Sequence, residues 1–237
     1  MTYKMVNPST AFIMYTTDCN SRCRMCEFWK TNSGCHFNGD SLLTIISELY
    51  KERLRTVFFT GGECLLYADP LFKACRELQK FCPELKLKIN TNGLLLETYA
   101  SEISELFDTV VVSLDSVDAN IYRSIRGVDG YEIVNKGIKA IRQKNPDIRI
   151  SLRALLLKEN YEQIEGLISY AISNKIDKLS FMAEDTDTLV AFGRQEESQP
   201  VDLSEGLVRS MEIVVDSVLL KYKKDFQSGE VLYEKGE

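Results

Sequence analysis

The chain alternates between two hydrophobic patterns. Short runs rich in β-branched and aromatic residues predict six β-strands, at residues 10–17, 55–60, 85–91, 108–115, 148–157 and 178–184. Between them, apolar residues recur every three or four positions, as on one face of a helix. These predicted helices cover residues 40–54, 70–82, 95–107, 131–144 and 161–174. Strand–helix alternation of this kind is typical of parallel β/α units.

Six such units place the protein in the α/β class, as most of a (β/α) barrel or as an open parallel sheet. After the sixth strand the alternation ends. Residues 185–200 have the composition of a polar loop, and one further helix is predicted over 202–224. We therefore divide the chain into a core of residues 1–184 and a C-terminal extension of residues 185–237.

Polar or glycine-rich segments follow the first four predicted strands directly. In parallel β/α folds, the carboxyl ends of the strands meet at one rim, where ligands bind. We therefore expect these segments to lie side by side. They read DCNSRCRMC at 18–26, GGEC at 61–64, NTNG at 90–93 and SLDS at 113–116.

Composition narrows the classes of function. The 237 residues are enough for a large core without disulfides. The start of the chain lacks a secretory pattern and the seven cysteines are an odd number, so we expect a cytoplasmic protein with reduced thiols. A net charge of -6 argues against non-specific nucleic-acid binding. No stretch approaches the roughly 18 apolar residues of a membrane span, so neither nucleic acid nor a membrane is an expected partner.

Three of the cysteines fall within eight residues. Cys19, Cys23 and Cys26 form the pattern C-x-x-x-C-x-x-C. Thiolates are soft ligands that suit zinc, copper(I) and iron–sulfur clusters. A structural zinc site requires a fourth ligand, for which Cys35 and the single histidine, His36, are the nearest candidates. A cubane cluster held at three irons requires no fourth protein ligand, so both kinds of site stay open on the cysteines alone.

This cysteine pattern, placed after a first strand, resembles the signature of the radical S-adenosylmethionine (radical SAM) superfamily. The later segments resemble its branch active in molybdenum-cofactor synthesis and peptide modification (SPASM-type), without that branch's auxiliary-cluster cysteines, since none follows Cys82. The resemblance covers about residues 10–184. It implies a partial (β/α)6 TIM-like barrel with a C-terminal helical extension.

The same resemblance implies the cofactors. The three thiolates would hold a [4Fe–4S] cluster whose open iron chelates the amino and carboxylate groups of S-adenosylmethionine. One electron then cleaves the sulfonium, and a 5′-deoxyadenosyl radical removes a hydrogen atom from the substrate. A one-electron reductant such as flavodoxin or ferredoxin is the implied partner.

The segment Gly61-Gly62-Glu63 resembles the GGE motif of this superfamily, whose backbone and acid contact the methionine ammonium group. Without that resemblance, a Gly-Gly turn between strand and helix is commonplace. Cys64 stands where the family often has proline. It is a candidate hydrogen-atom donor, and the alternative is a buried bystander.

The third and fourth strands end in two further candidate contacts. Thr91 and Asn92 occupy a place where many members of the family carry polar residues that face S-adenosylmethionine, although an Asn-Gly turn alone explains the segment. Ser113 resembles a contact to the ribose or to the methionine carboxylate. Asp115 is interpreted either as part of this S-L-D pattern or as a helix cap.

A charged residue interrupts the apolar fifth strand. Arg153 needs a partner if it is buried. It is a candidate for a bidentate contact to the methionine carboxylate, and a structural ion pair with Glu184 or Asp115 is the alternative. Arg123 and Arg126 are further candidate anion contacts.

Together these features predict a radical SAM enzyme that acts on a peptide or a small metabolite. Activation of a glycyl-radical enzyme is one alternative, and a nucleotide-type substrate is a second. A non-catalytic zinc or redox domain is another, although a zinc site requires none of the ordered GGE, TNG and SLD segments.

Overall fold

The strands form one parallel sheet whose order follows the chain, β1-β2-β3-β4-β5-β6. The computed structural model describes residues 9–183 and 205–222. All six predicted strands are present. They are β1 Thr10–Thr16, β2 Thr56–Gly61, β3 Lys86–Thr91, β4 Thr109–Ser113, β5 Arg149–Leu156 and β6 Lys178–Ala183.

Helices connect successive strands, as parallel pairing requires. They are α1 Phe28–Thr31, α2 Gly39–Lys51, α3 Ala68–Phe81, α4 Ala100–Leu106, α5 Ala119–Arg126, α6 Tyr131–Lys144 and α7 Ile164–Ser173. A further helix, α8 Glu205–Lys221, follows β6. Short 3-10 turns at Cys64–Tyr67 and Tyr161–Gln163 lead into α3 and α7. Within the described residues, no helix is long and apolar enough to cross a membrane. The predicted α/β architecture, a partial (β/α)6 barrel, is confirmed.

The two faces of the sheet differ in composition. In β5, Ile150, Leu152 and Ala154 are at most 1% exposed and belong to the main core. Because side chains alternate along a strand, Arg153 and Leu155 point to the opposite, concave face, where they are only partly buried. In β5, the helices therefore cover an apolar face, and the concave face carries the polar Arg153.

Strand register brings the predicted segments to one rim. Thr91 lies opposite Val112, and Ser113 lies opposite Arg153. The carboxyl ends of β1 and β2 meet where Thr16 pairs with Gly61. The rim expected from the sequence is present.

Three helices, α1, α4 and α5, differ from the prediction. The helix predicted from residue 95 begins only at Ala100, because residues 94–99 form turns after the Asn-Gly step. The sequence pattern does not predict α1 or α5. The predicted C-terminal helix is present over Glu205–Lys221 and packs on α7 through Val218. The polar loop predicted at 185–200 lies outside the described residues.

Candidate functional site

A cavity of about 360 Å³ opens at the carboxyl ends of the strands. All six strands contribute to its wall. Of the eleven site residues predicted from the sequence, the wall includes all but Glu63 and Cys64: Cys19, Cys23, Cys26, Gly61, Gly62, Thr91, Asn92, Ser113 and Arg153. The fold therefore brings most of the predicted set together around one space.

The cysteine loop presents its sulfurs among N–H donors. The Cys19 Sγ accepts from the Ser21 backbone N–H at 3.4 Å and from the Asn92 amide at 3.7 Å. The indole N–H of Trp29 donates to the Cys26 carbonyl at 2.7 Å. Burial raises the pKa of Cys19 to about 11, against the effect of these donors. The donors favour the thiolate, which is the form that binds metals.

Asp18 anchors the start of this loop and was not identified from the sequence. Its carboxylate is 4% exposed and accepts from the Tyr67 hydroxyl at 2.5 Å and from the Gly34 N–H at 2.8 Å. Its backbone carbonyl accepts from the Glu63 N–H at 2.7 Å. In the sequence, Asp18 is visible only as an acid next to Cys19 after the first predicted strand, and nothing there indicates its contacts.

The two glycines allow close approach of two backbones. A Cβ on Gly61, which has φ +137°, would lie 2.1 Å from the Thr16 carbonyl oxygen. A Cβ on Gly62 would lie 2.2 Å from the Asp18 carbonyl oxygen. The space left by the missing side chains is therefore occupied by the backbone that leads into the cysteine loop. The motif predicted a ligand contact at these glycines, and the structure adds this contact between two backbones.

Glu63 lies behind the cavity wall. Its side chain is fully buried, and its carboxylate accepts from the Thr91 hydroxyl at 2.9 and 3.0 Å and from the Asn92 N–H at 2.7 Å. Burial raises its pKa to about 7, although these hydrogen bonds oppose the shift. The carboxylate thus joins the ends of β2 and β3. Its contact with a methionine ammonium group stays a prediction.

Cys64 is also fully buried, within the main core. Its thiol donates to the Thr60 carbonyl at 3.3 Å, and burial raises its pKa well above the usual range. A core role accounts for these contacts. Hydrogen-atom donation by Cys64 stays a prediction that its position does not support.

The two arginines that line the cavity, Arg126 and Arg153, differ in their partners. Within the described residues, the guanidinium of Arg153 makes no hydrogen bond or ion pair, and burial lowers its pKa. Arg126 instead contacts Asp115, with Nε 2.5 Å from Oδ2. Burial alone would lower the pKa of Arg126, but the charge of Asp115 raises it. Asp115 is therefore the partner of Arg126 and not of Arg153, and the other alternative partner, Glu184, lies outside the described residues.

The candidate zinc ligands have other contacts. The exposed Cys35 thiol donates to the Ser33 carbonyl at 3.8 Å. The His36 ring packs against Tyr67, with ring centroids 4.6 Å apart. Across residues 9–183 and 205–222, no three His, Cys, Asp or Glu side chains are arranged around a single metal ion.

The donor set fits an iron–sulfur cluster. Clusters are held by thiolates, each on a different iron, so the sulfurs surround a space and need not converge on one point. Cys19, Cys23 and Cys26 line one cavity in this way. The N–H groups directed at Cys19 are of the kind that supports such thiolates.

Curated relatives match the core of the chain. A probable GTP 3′,8-cyclase of Sulfurisphaera tokodaii is 31% identical over 170 residues, which cover 70% of this chain and 53% of that protein. A probable GTP 3′,8-cyclase of Archaeoglobus fulgidus is 34% identical over 165 residues, which cover 68% of this chain and 54% of that protein. The chain spans about half the length of these relatives.

Solved structures share the fold. Streptococcus suis SuiB bound to S-adenosylmethionine has a TM-score of 0.69 at 21% identity, covering 90% of this chain and 48% of that one. The enzyme anSMEcpe with bound AdoMet and the Cp18Cys peptide has a TM-score of 0.74 at 17% identity, covering 94% and 62%. The profile of the Radical SAM superfamily matches residues 13–171, more than half of the chain. This chain therefore belongs to the radical SAM superfamily, whose cofactors are a [4Fe–4S] cluster and S-adenosylmethionine.

Proposed function

We propose that this protein is a radical SAM enzyme that removes a hydrogen atom from a peptide or a small metabolite. The observation that carries the proposal is the cavity at the carboxyl ends of the strands. Three cysteine thiols line this space together with the guanidinium of Arg153, which has no ion-pair partner among residues 9–183 and 205–222, and the chain belongs to this superfamily.

The cofactors would supply the chemistry. When bound, the reduced cluster and S-adenosylmethionine would supply one-electron cleavage of a carbon–sulfur bond and removal of a hydrogen atom from the substrate, with methionine and 5′-deoxyadenosine as the products. A small protein reductant such as flavodoxin or ferredoxin would return the electron.

The residues of the chain would bind and orient these groups. Cys19, Cys23 and Cys26 would hold the cluster as thiolates. Arg153 and Ser113 face each other across β4 and β5, where a guanidinium and a hydroxyl suit a carboxylate. Asn92, held by Glu63 and directed at Cys19, would line the boundary between cluster and ligand.

The solved structures and the curated relatives suggest candidate substrates of two classes. Two solved neighbours were crystallised with peptides, and the curated relatives are named for GTP. A substrate screen therefore begins with GTP and with unmodified peptides, each carrying deuterium. Transfer of deuterium into 5′-deoxyadenosine would identify the substrate and the position attacked.

The first experiment is anaerobic reconstitution with iron and sulfide, followed by reduction and addition of S-adenosylmethionine. We expect about four irons per chain and formation of 5′-deoxyadenosine. Cys23→Ala should lose both. Cys35→Ala is the matched control, since Cys35 is exposed and outside the cavity wall. Full cleavage by Cys23→Ala, or stoichiometric zinc in place of iron, would overturn the proposal.

A further inference from the structure

Helix α5 is joined to the cysteine loop by its C-terminal end. The N–H groups of Arg22 and Arg24 donate to the carbonyls of Arg126 and Ile125, both at 3.0 Å. Gly127, which follows the helix, has φ +68°, and a Cβ there would lie 2.3 Å from the Arg22 carbonyl oxygen. The helix end and the loop are therefore in direct backbone contact.

This contact brings a cation to one of the cysteines. Arg126 is the last residue of α5, and its Nη1 lies 3.8 Å from the Cys23 Sγ, within hydrogen-bonding distance for sulfur. Arginine stays protonated in proteins. A charge-assisted donor is stronger than a neutral one.

Asp115 fixes the position of this guanidinium. Its side chain is fully buried, and its Oδ1 accepts from the Leu155 N–H at 2.8 Å while its Oδ2 contacts Arg126. Its backbone carbonyl accepts from the Asn160 amide at 2.7 Å. Since the Leu155 N–H of β5 holds the carboxylate and Asn160 holds the backbone of the same residue, the arginine has little freedom to leave Cys23.

The cysteines thus have donors of different charge. Cys19 accepts from neutral groups, the Ser21 N–H and the Asn92 amide. Cys23 accepts from a guanidinium. Hydrogen bonds to the ligating sulfurs and the nearby net charge set the reduction potential of an iron–sulfur cluster. A cation directed at one sulfur stabilises the reduced state, which carries one more negative charge.

We propose that Arg126, positioned by Asp115, is a tuning residue that donates to the Cys23 sulfur and makes the cluster easier to reduce. The inference rests on the proposed function, because it requires the cluster. It separates the roles of the two arginines in the cavity. Arg126 contacts Asp115 and Cys23, whereas the guanidinium of Arg153 has no partner in the described part of the chain and is assigned to ligand binding.

The test is a redox titration of the reconstituted cluster, followed by electron paramagnetic resonance. Arg126→Gln should shift the midpoint potential to a more negative value, and Arg126→Lys should fall between this variant and the wild type. Arg123→Gln is the matched control. It removes the same charge from the exposed face of the same helix, where the Arg123 guanidinium donates to the Asn120 side chain, and it should leave the potential unchanged.

Other outcomes overturn the inference. An unchanged potential in Arg126→Gln, or an equal shift in Arg123→Gln, removes the specific role. Weaker S-adenosylmethionine binding at an unchanged potential makes Arg126 a ligand of that cofactor instead. If Arg126→Gln holds no iron, the midpoint potential of Arg126→Lys tests the proposal instead. A potential equal to that of the wild type in the lysine variant refutes it. Failure of the proposed function gives a different result: the wild-type protein then binds no cluster or forms no 5′-deoxyadenosine.

Discussion

Arg153 is a half-buried cation without an ion pair among the described residues, on the rim where the cofactor would bind. A hydrogen bond to a charged group contributes about 1.5 to 3 kcal/mol. We therefore expect Arg153→Ala to weaken S-adenosylmethionine binding by roughly ten- to a hundredfold. Anaerobic equilibrium dialysis of the reconstituted protein measures the dissociation constant.

Arg149→Ala provides the control for this change. Arg149 lies on the same strand and face, four positions earlier, but is exposed and outside the cavity wall. Its removal should leave the dissociation constant unchanged. Equal losses in the two variants would mean that only the general positive charge of the concave face matters.

Glu63 should make stability depend on pH. Burial raises the pKa of its carboxyl from 4.5 to about 7. Because the folded chain holds this proton more tightly, stability is greatest below about pH 4.5 and is lost as the pH rises through about 7. A shift of this size corresponds to an order of 3 kcal/mol.

Urea unfolding of the metal-free wild type and of Glu63→Gln tests this effect. The glutamine variant cannot ionise at this position. The free energy of unfolding of the wild type, relative to the variant, should therefore decrease between about pH 5 and about pH 8. A difference that stays constant over this range would show that the carboxyl does not titrate there.

Among elements, the junction between β2 and the cysteine loop tolerates no side chain. Gly62→Ala forces a Cβ toward the Asp18 carbonyl oxygen, and overpacking of this kind costs about 1 to 3 kcal/mol. We expect lower stability to urea and less iron per chain after reconstitution. In Gly39→Ala the nearest atom lies at 3.7 Å, so that variant should retain both properties, and equal losses in it would contradict the argument.

The docking of α5 can be tested through its N-cap. The Asp118 carboxylate accepts from the N–H groups of Asn120 and Ile121, and the Asn38 amide oxygen caps α2 in the same way. Each alanine substitution should cost about 1 kcal/mol. Only Asp118→Ala should also reduce iron retention under chelator challenge, because α5 contacts the cysteine loop. Equal iron retention in the two alanine variants would show that α5 does not stabilise the cluster site.

The strands were predictable because their signal is local. Runs such as TVFFTG are β-branched or aromatic, and all six predicted strands are present. Helix α5 was not predicted because its eight residues are fewer than the roughly 11 to 18 over which helical periodicity is recognised. The predicted cavity residues follow from strand ends meeting at one rim. The contacts of Asp18, Glu63 and Arg126 depend on tertiary structure and leave no pattern in the chain.

For the whole molecule, the C-terminal helix is expected to support the core without forming the site. Val218 is 5% exposed and packs with Ile164 and Ile168 on the outer side of the barrel. A charge there is disfavoured, so Val218→Asp should lose about 1 to 3 kcal/mol. Ser217→Asp, one position earlier and exposed, should lose little.

The iron content of the same two variants shows whether the C-terminal helix only stabilises the core or also forms part of the cluster site. Since all the described cavity residues precede Ala183, the stability loss in Val218→Asp should leave the iron per folded chain unchanged. This result would support the division into a core of residues 1–184 and an extension of residues 185–237. A parallel loss of iron would instead make the extension part of the binding unit.

The contact between the cysteine loop and α5 also has a consequence for biosynthesis. The two residues joined by the Arg126–Cys23 bond are 103 positions apart in the chain. The thiols leave the ribosome early, long before the helix that covers one of them exists. A nascent chain that ends before Gly127 therefore exposes a cysteine loop that is not yet enclosed. The enclosed form of the cysteine loop therefore requires that the fourth β/α unit has been synthesised.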